Sequence, residues 1–584
     1  MSRRYFEDEL AYLREVGKEF ADAHPDVAHL LSGPTGDPSV ERLLEGTAFL
    51  TGRIREKYES ELPELSHSVL GLLWPHYLRL VPAMAIVEFS PASGAAGESV
   101  SIPTGTRVES VAVEGTRCTF STCYDVQLQP VSVSEVEVED DRRTSILKLA
   151  LKVAAGSDLT TTRLDSLRFH LHGEGSLPAT LLTFLLSKVE SIKVQTVDPD
   201  VDSRSIDLPL SSILPVGFAE EEALLPDINP AFRGYRLLQE YFALPSKFCF
   251  LDITGLEALS QLGPAKAFEF VFRFKERLET SARVTKDAVR LGCTPVVNLF
   301  KHNIDPFVLD HQKVEYRLRP SGRDAGHHEI FSIHKVQGTI RGTARRREYR
   351  PLVERISLGR GGKNTPWFDQ RIRPAATDDG TETWLAFEVP ETLERSAEET
   401  ISVEALCTNR NLPGHLRAGD ISSPTANTPS FVKLKNLSSP TLGVPPPRGK
   451  ELHWRLIGQL ALSRRSLASV ETLRTLLTLY NFRALVDEPA WQLHNQRMSA
   501  ISSVTAEPLD WLMGRYPMRG IEVRVGLKES VFGSEGDVYL FGMVLDRFVS
   551  LWSTLNSFSR LVLEQTERRK EIPWPPRLGD RPLV

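Results

Sequence analysis

Phe268-Glu269-Phe270-Val271-Phe272-Arg273-Phe274 is the stretch on which the reading of this chain turns. Phenylalanine takes every second position, with Glu269 and Arg273 among the residues between. Successive side chains of an extended strand point to opposite faces, so the four rings share one face and the charges fall on the other. Four phenylalanines on one face need a core or a partner, and a core is the ordinary answer.

The same period of two extends to either side of this strand. Leu147, Leu149, Leu151 and Val153 alternate, as do Leu167, Phe169 and Leu171, which predicts half-buried strands. Val108, Val111 and Val113 sit in a β-branched run among turn residues Pro103, Gly105 and Gly115. Further strands are predicted at Val314–Leu318, Ile330–Val336, Trp384–Val389 and Ile401–Leu406, and a short helix at Leu181–Leu186. Residues 357–381, rich in Gly, Arg and Asp, read as a long exposed loop. Ser422–Pro447, rich in Ser, Thr and Pro, reads as an extended linker that marks a boundary.

The two ends change period. Phe6, Leu10, Leu13 and Phe20 lie on one helical face, widened by Tyr5, Tyr12 and Val16, until His24-Pro25 stops the helix. Asp37 and Pro38 suit the start of a second helix with Val40, Leu43, Leu44, Leu50, Ile54 and Tyr58 on its stripe. Pro63 opens a third, ending at Trp74-Pro75. Near the other end, Phe541, Val544, Leu545, Phe548, Leu551, Trp552 and Leu555 predict a long apolar helix over Leu540–Leu563. The fold class expected is α+β multidomain. A helical segment (1–80) precedes two β-rich domains (81–244 and 245–445, the second ending in the Pro-rich linker) and a mixed α/β C-terminal domain (446–584).

Composition narrows the function. The 584 residues carry 70 basic and 76 acidic side chains, a formal net charge of -6. That balance leaves no polyanion footprint, which argues against nucleic acid as a partner. Five scattered cysteines, Cys118, Cys123, Cys249, Cys293 and Cys407, do not make a disulfide scaffold and suit a reducing compartment. Acidic residues within the first ten positions do not suit a signal peptide, and no apolar run of about 18 residues reads as a membrane span.

Motifs of chemistry start and fail. His328-Glu329 begins a zinc-protease pair, but Ser332 stands where the second imidazole belongs. Asp198, Asp200 and Asp202 open a calcium loop that lacks its glycine at Ser203 and its glutamate at Pro209. Gly359-Arg360-Gly361-Gly362-Lys363-Asn364 lacks the first glycine and the final hydroxyl of a phosphate loop. Cys118 and Cys123 have no second pair for zinc, and no G-x-S-x-G elbow occurs. Arg341, Arg345, Arg346, Arg347 and Arg350 form a basic patch that suits solvated surface or an acidic partner. No catalytic, cofactor-binding or metal-ligating residue is expected.

Several blocks carry a resemblance. Tyr5 to Arg14, Gly36 to Glu45, Leu62-Pro63-Glu64-Leu65, Leu72 to Leu78 and Pro82 to Val87 follow one another near the start. Gly234-Tyr235-Arg236-Leu237-Leu238-Gln239-Glu240-Tyr241-Phe242, with Pro245 and Lys247-Phe248 behind it, lies in the middle. Cys293-Thr294-Pro295-Val296-Val297-Asn298-Leu299-Phe300, Cys407-Thr408-Asn409-Arg410-Asn411-Leu412-Pro413, Val544-Leu545-Asp546 and Asn556-Ser557-Phe558 complete the set. In this order they resemble the TssF (ImpG/VasA) family of type VI secretion baseplate subunits, with departures such as Ala83 where the family suggests serine. The resemblance implies a cytoplasmic, non-enzymatic subunit that assembles at the inner-membrane face. Its partners would be TssG, a second TssF copy, TssE, TssK and the VgrG spike hub, and it carries over no catalytic residue. Phe6, Leu10, Leu13, Phe20, Phe541, Val544, Phe548 and Trp552 are the candidate interface residues, which would equally suit their own domain cores. The competing function is a cytoplasmic hydrolase whose carboxylates converge only in three dimensions.

Overall fold

Alternation along the strands decides where the cores lie. The structure, a computed structural model, describes residues 3–23, 39–54, 74–91, 99–198, 203–226, 233–280, 282–322, 324–342, 345–352, 354–355, 365–375, 380–390, 398–429, 431–447, 469–513, 516–550, 553 and 556–579. The chain divides into two compact units, one of residues 1–78 and 448–461, the other of 79–447 and 462–584.

In the smaller unit, Arg3–Ala23 is a helix and residues 39–54 form a second. The first ends where the His24-Pro25 pair was expected to stop it. An ion pair between Arg14 and Glu41 joins the two. The Asp37 cap, Tyr58 and the helix expected from Pro63 lie outside the described residues.

In the larger unit, Ala267–Phe274 is the middle strand of a five-stranded sheet. It pairs antiparallel with Ser145–Val153 on one side and Val189–Thr196 on the other. Phe268, Phe270, Phe272 and Phe274 are all fully buried, and Phe270 stacks on Phe272 at 6.0 Å. A four-stranded sheet runs in the order Ile213–Pro215, Phe250–Thr254, Ser166–Leu171, Val289–Arg290. Phe169 meets Phe270 edge-to-face at 6.3 Å, so the two sheets pack on a shared aromatic core.

A six-stranded sheet has Thr116–Thr122 and Cys293–Val297 at its centre, with Met84–Pro91 beside Cys293–Val297 and Val432–Asn436 at the edge beyond it. Strands from either side of residue 244 therefore share sheets. Val432–Asn436 and Ile421–Pro424 also correct the reading of Ser422–Pro447 as linker. Val432 and Leu434 are buried between exposed Lys433 and Lys435, a period of two inside a Ser/Thr/Pro-rich background.

The largest sheet is built within residues 300–408, with Arg346–Pro351 in the middle of its strand order and the long pair Glu329–Ile340 and Glu399–Thr408 to one side. Of the strand expected at Val314–Leu318, only Tyr316–Arg317 is strand, and Val314 is exposed. Trp367–Pro374 corrects the loop expected at 357–381: it pairs along its whole length with Thr381–Glu388 and buries Trp367 and Phe368.

The long apolar helix expected over Leu540–Leu563 is not found. The helix is Glu535–Ser550, and Phe558–Gln565 is a strand, paired in parallel with Tyr516–Leu527. The strand is buried on both faces, so its sequence lacks strict alternation, and its apolar residues Phe558, Leu561 and Val562 fall at i, i+3 and i+4, a spacing that suits a helix equally. Asn556 takes a φ of 67°, outside helical geometry, just ahead of it.

Candidate protein-protein interface

The Arg3–Ala23 helix is apolar on more than the face it buries. Leu10 is buried and Phe6 and Leu13 are half-buried. Tyr12, Val16 and Phe20, spaced four apart and so on one stripe, are 62%, 41% and 50% exposed. The 39–54 helix repeats the arrangement. Ala48 and Gly52 are buried, whereas Leu43, Leu50 and Ile54, at i, i+7 and i+11, are 72%, 60% and 64% exposed. Large apolar side chains in contiguous stripes, rather than scattered singly, mark an interaction surface. Of the residues expected at an interface, Phe20 lies in this exposed set. Leu43, Leu50 and Ile54 lie on the expected stripe but not among the expected interface residues. The signal for more was a helix with apolar residues at 40 and 44 on one face and at 43, 50 and 54 on another.

The C-terminal candidates correct the expectation in the other direction. Phe541, Val544 and Phe548 are 2%, 0% and 1% exposed, and Trp552 lies outside the described residues. Their helix is covered on several sides. Gly536 approaches the Leu177–Thr183 helix so closely that a Cβ there would stand 2.4 Å from the Thr180 nitrogen. A Cβ at Gly542 would stand 2.3 Å from the Trp574 ring. Phe548 meets Tyr235 at 5.5 Å and Phe541 meets Tyr241 at 6.0 Å. These side chains fill the chain's own core.

Tyr235 and Tyr241 belong to the Arg233–Ala243 helix, which carries the Gly234-to-Phe242 block. Tyr235 also stacks on Tyr480 at 4.8 Å, so this helix holds the C-terminal elements against the sheets. Glu240 and Lys247, both fully buried, form an ion pair at its end. Glu240 also accepts the backbone N–H groups of Leu224 at 2.8 Å and Leu225 at 3.0 Å. Burial holds the Lys247 ammonium below the usual lysine range, and the Glu240 charge opposes that shift.

The other motifs resolve as structure. His302 and His328 stack at 4.7 Å in the largest sheet, and His327 shares a hydrogen bond with Thr116 at 2.8 Å. Burial pushes the His328 imidazole down. Among the described residues no group of three or more His, Cys, Asp or Glu is placed to hold a metal ion. All five cysteines are free and buried, and burial pushes Cys118 up to about 11 and Cys407 up to about 12. Within the basic patch Arg341 pairs with Glu398 and Arg347 with Glu399. Asp200, Asp202 and the 359–364 loop lie outside the described residues, and Asp198 accepts the Lys266 N–H at 2.8 Å. No described helix is long and apolar enough to cross a membrane.

Comparison with known proteins agrees with this picture. The family model for the type VI secretion system protein TssF matches residues 2–581. Type VI secretion system component TssF1 of Pseudomonas aeruginosa is 31% identical, the alignment covering 99% of this chain and 98% of that protein. Among solved structures, a chain of a type VI secretion TssK-TssF-TssG baseplate subcomplex has a TM-score of 0.77 and 31% identity, covering 92% of this chain and 99% of that one. A chain of the type VI secretion baseplate complex has a TM-score of 0.64 and 28% identity over the full length of both. The chain belongs to the TssF family of the type VI secretion system.

Proposed function

We propose that this chain is a structural subunit of the type VI secretion baseplate that works by contact and performs no catalysis. The observation that carries the reading is the pair of exposed apolar stripes, Tyr12-Val16-Phe20 and Leu43-Leu50-Ile54. A helix pair that leaves such stripes open is incomplete as a core and buries them when a partner's helices pack alongside. The similar solved chain comes from an assembly with TssK and TssG, and these are the first partners proposed here. A second TssF copy, TssE and the VgrG spike hub follow from the family resemblance, as does a cytoplasmic baseplate at the inner-membrane face. The sheets of the larger unit supply a rigid body whose core is already filled.

The test is co-expression of the full chain with its TssG. The double variant Phe20→Asp/Leu50→Asp should fold with the parent's thermal transition and lose TssG on co-purification, because both positions are exposed in the isolated chain. Undiminished co-purification of TssG with that variant would remove the helix pair as the docking surface.

A further inference from the structure

A strand that leaves its sheet early opens a cleft in the larger unit. Along Ser166–Leu171 the ladder register can be followed residue by residue. The Leu171 N–H donates to Cys249 O at 2.8 Å on the side of the Phe250–Thr254 strand. The His172 N–H donates to Ala288 O at 2.9 Å on the opposite side. Backbone groups of an antiparallel strand alternate between its two neighbours, so His170, Arg168 and Ser166 direct theirs to that opposite side. There Val289–Arg290 pairs only with Leu171 and His170.

Continuing the register would place Gly292 across from Arg168, but the chain has turned away. Gly292 takes a φ of +68°, and its carbonyl instead accepts the Phe89 N–H at 2.8 Å. A Cβ at this position would stand 2.4 Å from the Phe89 oxygen, so only glycine permits the departure. The chain then enters the six-stranded sheet as Cys293–Val297. What it leaves beside Ser166 and Arg168 is a cleft of about 900 Å³. Val131–Asp140, an edge strand of the five-stranded sheet, contributes Val131 to Val133 to the lining.

We infer that this cleft receives an extended segment of a partner protein, which adds to the open edge of Ser166–Leu171 as a strand and carries alternating lysine or arginine. The open edge sets the backbone mode of recognition. Charge identifies the segment. Carboxylates outnumber cations two to one in the lining, and both arginines are already engaged. Arg168 binds Asp252 at 2.8 Å and Glu222 at 3.3 Å, and Arg290 binds Glu88 and Asp287, each at 3.0 Å. Asp125, Asp165 and Glu221 are exposed along the cleft and make no ion pair among the described residues. They are the groups that meet the incoming cations.

The probe is the capped peptide Arg-Val-Arg-Val-Arg-Val, titrated into the full-length protein by calorimetry beside its Glu-Val twin. The arginine peptide should bind at least tenfold tighter than the twin. Hydrogen exchange at the Ser166 and Arg168 amides should slow on binding. Asp125→Lys/Glu221→Lys, both at exposed positions, should weaken binding at least tenfold. N-methylating alternate peptide amides should abolish it, because those amides make the ladder. Failure of the arginine peptide to bind at millimolar concentration, equal binding of the twin, unchanged exchange at residues 166–168, or full affinity of the charge-reversed or N-methylated forms would each overturn the proposal.

Discussion

Asn298 and Asn409, 111 residues apart in sequence, are both fully buried and bond to each other reciprocally. The Asn298 Nδ2 donates to Asn409 Oδ1 at 2.8 Å, and the Asn409 backbone N–H donates to Asn298 Oδ1 at 2.7 Å. Asn298 Nδ2 also donates to Thr119 O at 2.8 Å, while the Thr119 N–H donates to Asn409 Oδ1 at 2.9 Å. The pair ties the turn after Glu399–Thr408 to the strand Thr116–Thr122 and to the end of Cys293–Val297. Asn298→Ala leaves the Asn409 N–H and Thr119 carbonyl buried without this partner, at about 1–3 kcal/mol for each group. The urea midpoint of unfolding should move to lower concentration than the parent's, and an unchanged midpoint would contradict the role given to the pair.

Glu240 and Lys247 give the second prediction. Lys247→Met removes the nearer of two cations from a fully buried carboxylate that also serves the Leu224 and Leu225 N–H groups. Breaking such a pair from one side costs up to about 3–5 kcal/mol, and the Arg236 guanidinium, 3.6 Å from the same carboxylate, offsets part of that loss here. Adding Glu240→Gln, which keeps an acceptor for the two N–H groups, should recover part of the loss. A double-mutant cycle from denaturant midpoints measures the recovery, and a fully additive result contradicts the coupling.

Acid should weaken the fold through buried histidines. Burial pushes His170 down to about 3 and His494 down to about 4, from an ordinary value of 6.5. The native ring thus stays neutral while the unfolded ring protonates. Below pH 6.5 the unfolded state binds the extra proton, and stability falls by about 1.4 kcal/mol per pH unit for each histidine until the native value is reached. The stability these rings confer is whole above 6.5 and is lost as pH falls toward 4 and 3. His170→Leu should flatten the slope of unfolding free energy against pH between 6.5 and 4. A slope equal to the parent's excludes His170 as a contributor.

Phe548→Ala separates core from surface. The ring is 1% exposed and packs on Tyr235, so its loss should cost about 3–5 kcal/mol of stability. Phe20, at 50% exposure, should tolerate alanine within about 0.5 kcal/mol. Thermal unfolding of the two single variants checks the contrast. Similar shifts would mean that the two rings are not differently placed.

Legibility followed periodicity. Ala267–Phe274, Ser145–Val153 and Ser166–Leu171 were readable because each buries one face and leaves polar residues on the other. Phe558–Gln565 was not, because it is buried on both faces without alternating, and Phe558, Leu561 and Val562 continue a helical i, i+3, i+4 spacing. Val432–Asn436 was hidden by composition, since Ser, Thr and Pro around it outweighed two alternating pairs. At the candidate interface the helix was legible, but Phe20, grouped by sequence with Phe6, Leu10 and Leu13, stands with the exposed Tyr12 and Val16. The sequence offered the same kind of apolar arc at Phe541, Val544 and Phe548, which the fold buries.

The order of amino acids by itself determined which segments are helices or strands, wherever one face differs from the other. It also carried the blocks that place the chain in the TssF family. Only the tertiary structure decided which apolar faces remain open, how strands distant in sequence share a sheet, and that Gly292 turns the chain away to leave an unpaired edge. The physical reason is that a hydrophobic stripe states a need for cover without naming what supplies it. A strand's hydrogen-bonding groups, likewise, are the same on every residue, so pairing is settled by packing across long loops rather than by local sequence.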